Sequence, residues 1–195
     1  TVGFSDRNYE FLEKYAPYII ENGGDLPSFL PKETQYEVKN VVEKAALSMG
    51  IKNGIVKGDI VVHDGKPYVI ELAARLSGGY FCTHEIPMNT GVDLVGNAIK
   101  MAIGEKINPV DLIPKVNNNI CQRYIFPKLG IINKIYGIDK LENNSSIKYY
   151  NLHARAGQKI EAPTAHPSRA GMVITTGDSR EDARFNTKTA IETIK

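Results

Sequence analysis

Apolar residues recur at helical spacing in three stretches and at alternating spacing in several shorter ones. Val38, Val41, Val42, Ala45, Ala46 and Met49 form one stripe, which predicts a helix over about 33–49, and Gly50 stands where a terminating glycine belongs. Leu94, Val95, Ala98, Ile99, Ala102 and Ile103 predict a second helix over about 92–103, with Gly104 after it. Gly177-Asp178-Ser179 opens a last helix that turns Ala183, Thr187, Ala190, Ile191 and Ile194 inward, and Ser179 and Asp182 have the spacing of a capping box. Two β-rich runs, 55–63 and 67–75, flank His63-Asp64-Gly65-Lys66, a hairpin signal. Further short strands are expected at 120–127, 130–136, 147–155, 158–161 and 171–176. Residues 8–31 read as irregular, with turn signals at Asn22-Gly23-Gly24-Asp25, Pro27 and Pro31. Residues 76–91 read as a loop, and 105–119, with Pro109, Pro114 and Asn117-Asn118-Asn119, as a linker.

Composition narrows the class. Of 195 residues, 42% are hydrophobic and 24% charged, which fits a folded domain and excludes disorder. No apolar run approaches the roughly 20 residues of a bilayer span. Lys plus Arg is 24 and Asp plus Glu is 22, so a net charge of +2 calls for neither nucleic acid nor a membrane as partner. Cys82 and Cys121 are too few for a disulfide scaffold, and a reducing cytoplasm is the expected compartment. The Asn-x-Ser sequons at Asn143 and Asn144 read as chance. The chain enters a strand-like stretch at once (Val2, Phe4) without an initiator Met, so a piece of a longer protein is expected.

The hairpin carries the densest chemistry, and its register decides what that chemistry is. A two-residue Asp64-Gly65 turn sets Asp59 opposite Ile70 and sends Asp59 and Glu71 to opposite faces. A three-residue loop, with Gly65 left-handed in a bulge, gathers Lys57, Asp59, Glu71, Ala73 and Arg75 on one face. It leaves Val56, Ile60, Val62, Tyr68, Ile70 and Leu72 on the other. The second register separates polar from apolar residues and is the one expected. It brings two carboxylates within reach of one hard cation, and magnesium takes one or two carboxylates plus phosphate oxygens and water. Arg75 offers a planar fork for oxyanions. Ser77-Gly78-Gly79 follows, with backbone amides and room for close approach. The competing reading is an ordinary solvated sheet face.

Other candidates are weaker. Cys82-Thr83-His84-Glu85 lacks a full zinc set and reads as pocket lining. His63 reads as a turn residue, and Cys121 as core. Tyr149-Tyr150 reads as packing, and Glu181-Asp182 as first-turn acids of a helix. His153 with Arg155, and His166 with Arg169, read as solvated strand positions, the alternative being that they close over the site.

The segment "VKGDIVVHDGKPYVIELAARLSGG" resembles the metal-binding hairpin of the ATP-grasp superfamily, in which an acid on one strand precedes a Glu-x-Asn-x-Arg motif on the next. Asp59 matches the first acid, Glu71 the Glu and Arg75 the Arg. "GGDLPSFLP", the helix 33–49 and "GVDLVGNAIKMAIGE" resemble the carboxy-terminal lobe of ligases of the carbamoyl phosphate synthase, biotin carboxylase and amino-acid ligase type. "HARAGQKIEAP" and "RAGMVITTGDSREDA" resemble the small β-rich domain that follows it.

The fold expected from the resemblance is α+β: an ATP-grasp carboxy-terminal lobe (1–112) with an antiparallel sheet and packed helices, then a small β-rich domain (113–195) ending in a helix. The resemblance implies an ATP-dependent ligase in which a carboxylate takes the γ-phosphate to form an acyl phosphate and an amine or other nucleophile displaces phosphate. Its partners would be ATP, a small carboxylate, a nucleophile and the amino-terminal half of the parent chain; a homodimer stays open. Asp59 and Glu71 would hold magnesium, Arg75 would act on the transferring phosphoryl group, and Lys57, Ser77, Gly78 and Gly79 would contact ATP or substrate. One or two magnesium ions are implied, because Ala73 stands where the family has the Asn that helps hold the second. No G-x-x-x-x-G-K-[ST] or G-x-G-x-x-G motif occurs. The alternatives are a non-catalytic ATP-grasp module and a plain β-rich adaptor.

Overall fold

A computed structural model describes residues 1–195. In chain order the elements are β1 (Asp6–Arg7), β2 (Gly24–Leu26), α1 (Lys32–Ser48), β3 (Lys57–His63), β4 (Lys66–Ala73), α2 (Ile86–Thr90), α3 (Leu94–Ala102), β5 (Asn119–Ile125), β6 (Gly130–Ile131), α4 (Ile138–Glu142), β7 (Ile147–Leu152), β8 (Lys159–Ile160), β9 (Gly171–Gly177) and α5 (Arg180–Thr193). They fall into two units, Thr1–Gly3 with Phe29–Val116, and Phe4–Ser28 with Asn117–Lys195. No helix is long and apolar enough to cross a membrane.

In the first unit, α1 ends as its sequence predicts. Gly50 is left-handed (φ 77°), its N–H donates to the Leu47 carbonyl and that of Ile51 to the Ala46 carbonyl, the two bonds of a Schellman motif. The apolar stripe is only partly used: Val38 is buried, whereas Met49 is 58% exposed. The helix covers one face of the β3–β4 hairpin, where Leu72, Ile60 and Val42 converge so tightly around Gly58 that an added Cβ would lie 2.9 Å from Leu72. The Asp93 carboxylate caps α3 by accepting from the Gly96 N–H at 2.8 Å. The segment expected as a loop is instead a π-helical turn, Phe81–Glu85, that runs into α2. Its inward residues Cys82 and Ile86 pack with Leu94, Phe81 and Val95. A five-residue turn beside Gly78, Gly79 and Pro87 offers a 3.6-residue template too little to match.

The second unit is a five-stranded antiparallel sheet in the order β1-β2-β5-β9-β7, with α5 packed on β9 and β5. Phe4–Ser28, placed with the first domain and read as irregular from residue 8 on, belong here. Gly24–Leu26 pairs with β5 through Asp25↔Cys121 and Leu26↔Ile120, and all three of its residues are buried. A strand this short, centred on a charged residue, shows no alternation to read. β6 and β8 form a separate ribbon and are shorter than the runs expected at 130–136 and 158–161. The capping box at α5 is complete, with the Ser179 side chain accepting from the Asp182 N–H and the Asp182 carboxylate from the Ser179 N–H. Ile125, Leu141, Ala170, Val173 and Ala190 make one core cluster. Beside β9 the buried Thr175 and Thr187 hydroxyls meet at 2.5 Å.

Candidate functional site

The hairpin brings the expected acids together by a route other than the one its sequence suggested. The turn is two residues long: His63 pairs with Lys66, and Asp64 (φ 48°) and Gly65 (φ 72°) are both left-handed, as a type I′ turn requires. Continued unbroken, that register would face Asp59 with Ile70. A bulge intervenes. Ile60 pairs with Val69 but Asp59 pairs with Glu71, so Ile70 is the extra residue, 65% exposed. Asp59 and Glu71 are therefore directly opposed, not diagonal, and Lys57 faces Ala73 on the same side. The apolar sorting is corrected as well. Tyr68 pairs with Val61 on the acid face, and both are about half exposed, at 51% and 50%.

Four charged groups meet on this face. Lys57 Nζ donates to Asp59 Oδ2 and, at 3.3 Å, to Glu71 Oε1, while Arg75 Nη2 lies 3.9 Å from the same Glu71 oxygen. The Lys57 side chain is only 10% exposed, whereas Asp59 and Glu71 are 35% and 55% exposed. A largely covered lysine side chain thus reaches two solvent-accessible carboxylates. No group of three or more His, Cys, Asp or Glu has metal-binding geometry. Two opposed carboxylates that already share one cationic group fit a hard cation whose remaining ligands are phosphate oxygens and water, and do not make an all-protein cage. Ala73 presents a methyl group opposite Lys57 and adds no oxygen ligand.

Beyond Arg75, whose Nη1 donates to the Leu76 carbonyl at 3.1 Å, the chain turns at Gly78-Gly79-Tyr80. The Ser77 N–H donates to Cys82 Sγ at 3.2 Å, so this amide is engaged inside the fold. Gly78 and Gly79 are exposed, and Gly79 (φ 64°) and Tyr80 (φ 68°) are successive left-handed residues. Cys82 is buried, and burial pushes its thiol above the usual range, opposite to what a nucleophile needs. Burial also lowers the His84 pKa; the His84 ring packs edge-on against Tyr80 and meets the Thr83 hydroxyl at 2.8 Å. His63 is the exposed last residue of β3, beside Asp64. Cys121 is core, its thiol pushed up to about 12 by burial. Tyr150 bonds the Glu142 carboxylate at 3.0 Å.

Two clusters in the second unit had no legible motif. Asp25, 2% exposed, receives Arg184 Nη2 at 2.7 Å and Arg123 and Arg180 Nη2 each at 3.2 Å. Burial alone would raise the Asp25 carboxyl, but the Arg184 hydrogen bonds and the Arg123 charge outweigh it and hold the group below its ordinary value. His153 and His166 are exposed, as expected, while the Arg169 side chain is only 10% exposed; the three line a cavity with Tyr124.

Residues 123–195 match the family model "L-amino acid ligase C-terminal domain 2". The chain is similar to the crystal structure of phosphoribosylglycinamide synthetase from Anaerococcus prevotii (TM-score 0.79, 21% identity, 90% of this chain and 45% of that one). It is equally similar to that of L-amino acid ligase from Bacillus licheniformis (TM-score 0.79, 21% identity, 92% and 44%). Over the part of each that the chain covers, its fold is that of these two proteins. In sequence the chain is 26% identical over 179 residues to the uncharacterized protein y4rH of Sinorhizobium fredii, covering 91% of this chain and 37% of that protein. It thus spans less than half the length of each of these ATP-grasp relatives and of y4rH.

Proposed function

We propose that this chain supplies one wall of the active site of an ATP-dependent ligase that joins a carboxylate to an amine or other nucleophile through an acyl phosphate. The observation that carries the reading is the opposed Asp59–Glu71 pair with Lys57 between the carboxylates and Arg75 beside Glu71. Asp59 and Glu71 would hold one magnesium ion, which when bound supplies neutralisation of charge on the transferring phosphoryl group. Lys57, released from its two carboxylates, is placed to contact phosphate or substrate oxygens. Arg75 is half exposed and offers a planar fork to the phosphoryl group or the acyl phosphate. Gly78 and Gly79 offer an exposed turn to the substrate, and Ser77 does so through its side chain, its amide being engaged. Preorganised charge of this kind lowers the barrier because little reorganisation is needed during transfer. The other wall, with a loop to cradle the phosphates, belongs on this reading to the rest of the parent protein.

Ala73 favours a second reading, a non-catalytic module, because a methyl group stands where an oxygen ligand for a second ion would be. Calorimetric titration of the intact parent protein with Mg-ATP, followed by phosphate release against a panel of amino acids, separates the two. Binding with amino-acid-dependent phosphate release supports the ligase. Binding without release under any acid supports the module, and no binding removes both.

A further inference from the structure

Two Asn-Gly steps occur in the chain, Asn22-Gly23 in the second unit and Asn53-Gly54 in the first. At such a step no side chain shields the glycine nitrogen, which can reach the asparagine amide carbon wherever the backbone is free to turn. The fold treats the two steps in opposite ways. Asn22 is 4% exposed. Its Oδ1 accepts from the Tyr124 N–H at 2.8 Å, and its amide nitrogen donates to the Glu10 carboxylate. The backbone on both sides is held as well. The Asn22 N–H donates to the Asn8 carbonyl and the Asn8 N–H to the Gly23 carbonyl, each at 2.8 Å. The Gln122 backbone lies so close to Gly23 that no Cβ would fit there.

Asn53-Gly54 lies in the connection from α1 to β3, beyond the last capping bond, which the Ile51 N–H makes. Lys52, Asn53 and Gly54 are all exposed, and neither Asn53 nor Gly54 makes a hydrogen bond. Gly54 has φ 121°, a conformation that favours glycine, and nothing lies within 4 Å of where its Cβ would be. No bond and no packed neighbour therefore opposes the rotation that carries the Asn53 amide carbon onto the Gly54 nitrogen.

We propose that Asn53 is a site of spontaneous deamidation, with water as its only co-reactant. The Gly54 backbone nitrogen gives up its proton and bonds to Asn53 Cγ. The Cγ–Nδ2 bond breaks, and ammonia carries that proton away. Water then opens the resulting succinimide at either carbonyl, which yields aspartate or an isoaspartate whose main chain runs through Cβ and Cγ. One water enters, one ammonia leaves, and nothing is oxidised or reduced. Each event places a new carboxylate between α1 and the strand that bears Lys57 and Asp59, and lowers the formal net charge of +2 by one. The proposal is independent of the hairpin reading.

The test is peptide mapping by mass spectrometry of the 195-residue chain held at mildly alkaline pH, with a parallel sample in concentrated urea and a digest taken at time zero. Trypsin separates the two steps, since Lys52 and Lys57 bound one and Lys14 and Lys32 the other. Deamidation adds about 1 Da and turns the 53–57 peptide into two new species of equal mass that chromatography resolves. In the folded chain Asn53 is expected to convert at least about tenfold faster than Asn22, whose bonds must first open. In urea the two should convert at comparable rates, because the bonds that hold Asn22 are gone. Asn53→Gln, an exposed change that leaves the core untouched, should remove most of the mass gained by the folded chain. Four results would each overturn the proposal: no gain at Asn53 while the urea sample converts, conversion of Asn22 in the folded chain as fast as that of Asn53, a rate difference that persists in urea, or an undiminished gain in Asn53→Gln.

Discussion

Asp25 and Glu71 show how two carboxylates of one chain come to carry opposite burdens. Asp25 is almost fully buried among Arg123, Arg180 and Arg184, and removing its charge leaves those guanidiniums unpaired. Asp25→Asn should cost about 3–5 kcal/mol of second-unit stability at pH 7, read by urea denaturation. Its folded pKa lies below the ordinary 3.8, so the native state binds the proton less readily than the unfolded chain does. The stability it contributes is therefore complete above about pH 4 and is lost as pH falls through the lower folded value. Asp25→Asn should flatten the loss of stability as pH falls below about 4, and an unchanged slope would assign the acid sensitivity to other groups. Glu71 is half exposed, so Glu71→Gln empties no core volume. On the ligase reading it should lower turnover of the intact protein by about 10²–10³-fold with little change in melting temperature. Unchanged turnover together with a fall in melting temperature would make the acid pair structural. Arg75→Lys should be poorly tolerated, and Ala73→Asn should raise metal affinity if only the missing oxygen keeps a second ion away.

Among the elements, α1, α3 and α5 and the hairpin strands were legible because each repeats its period several times and ends on a recognisable residue. Gly50, Asp93 and Ser179 act through backbone bonds that short-range chemistry alone determines. β2 and the π-helical turn were not legible, since each has too few residues for a period, and β2 is also fixed by a partner far along the chain. Asp25, paired with Cys121, is the clearest case. The hairpin lies between these extremes. Its polar and apolar pattern correctly joined Asp59 to Glu71, yet gave the wrong turn, because a three-residue loop and a two-residue turn with a bulge satisfy that pattern equally at the acid pair. They differ at Tyr68, which burial alone could not assign. The bulge leads to a sharp expectation. Deleting Ile70 removes the extra residue, and a regular two-residue hairpin then places Asp59 opposite Glu71 unaided. The deletion should keep the cross-strand contact between these residues, visible as nuclear Overhauser effects, and cost little stability because Ile70 is mostly exposed. If the two acids move to opposite faces, the register is set elsewhere than at the bulge.

For the molecule as a whole, the charged hairpin face and its exposed neighbours, Val61 and Tyr68, are the features a folded domain does not need for its own stability. Like-sized apolar residues on the other face are packed under α1. Lys57 offsets the repulsion between the two acids, so on the ligase reading a metal ion would have to compete with an ammonium for them. Magnesium alone should consequently bind the 195-residue chain weakly, and Lys57→Met should tighten that binding while destabilising the hairpin through repulsion between Asp59 and Glu71. ATP hydrolysis is a different matter. Phosphoryl transfer depends on holding the triphosphate in line with its acceptor, and positioning supplies much of the rate. The chain has two acids and a lysine in its hairpin, an arginine and a Gly78-Gly79 turn beyond it, and neither a G-x-x-x-x-G-K-[ST] nor a G-x-G-x-x-G motif, and it spans 45% and 44% of the two ATP-grasp structures described. The isolated 195 residues should therefore release no phosphate from Mg-ATP above background with any amino acid, even at concentrations where magnesium is bound, whereas the intact parent protein should. Turnover by the isolated chain would mean that the phosphate-positioning groups lie within these residues, and the assignment of a missing wall would fail.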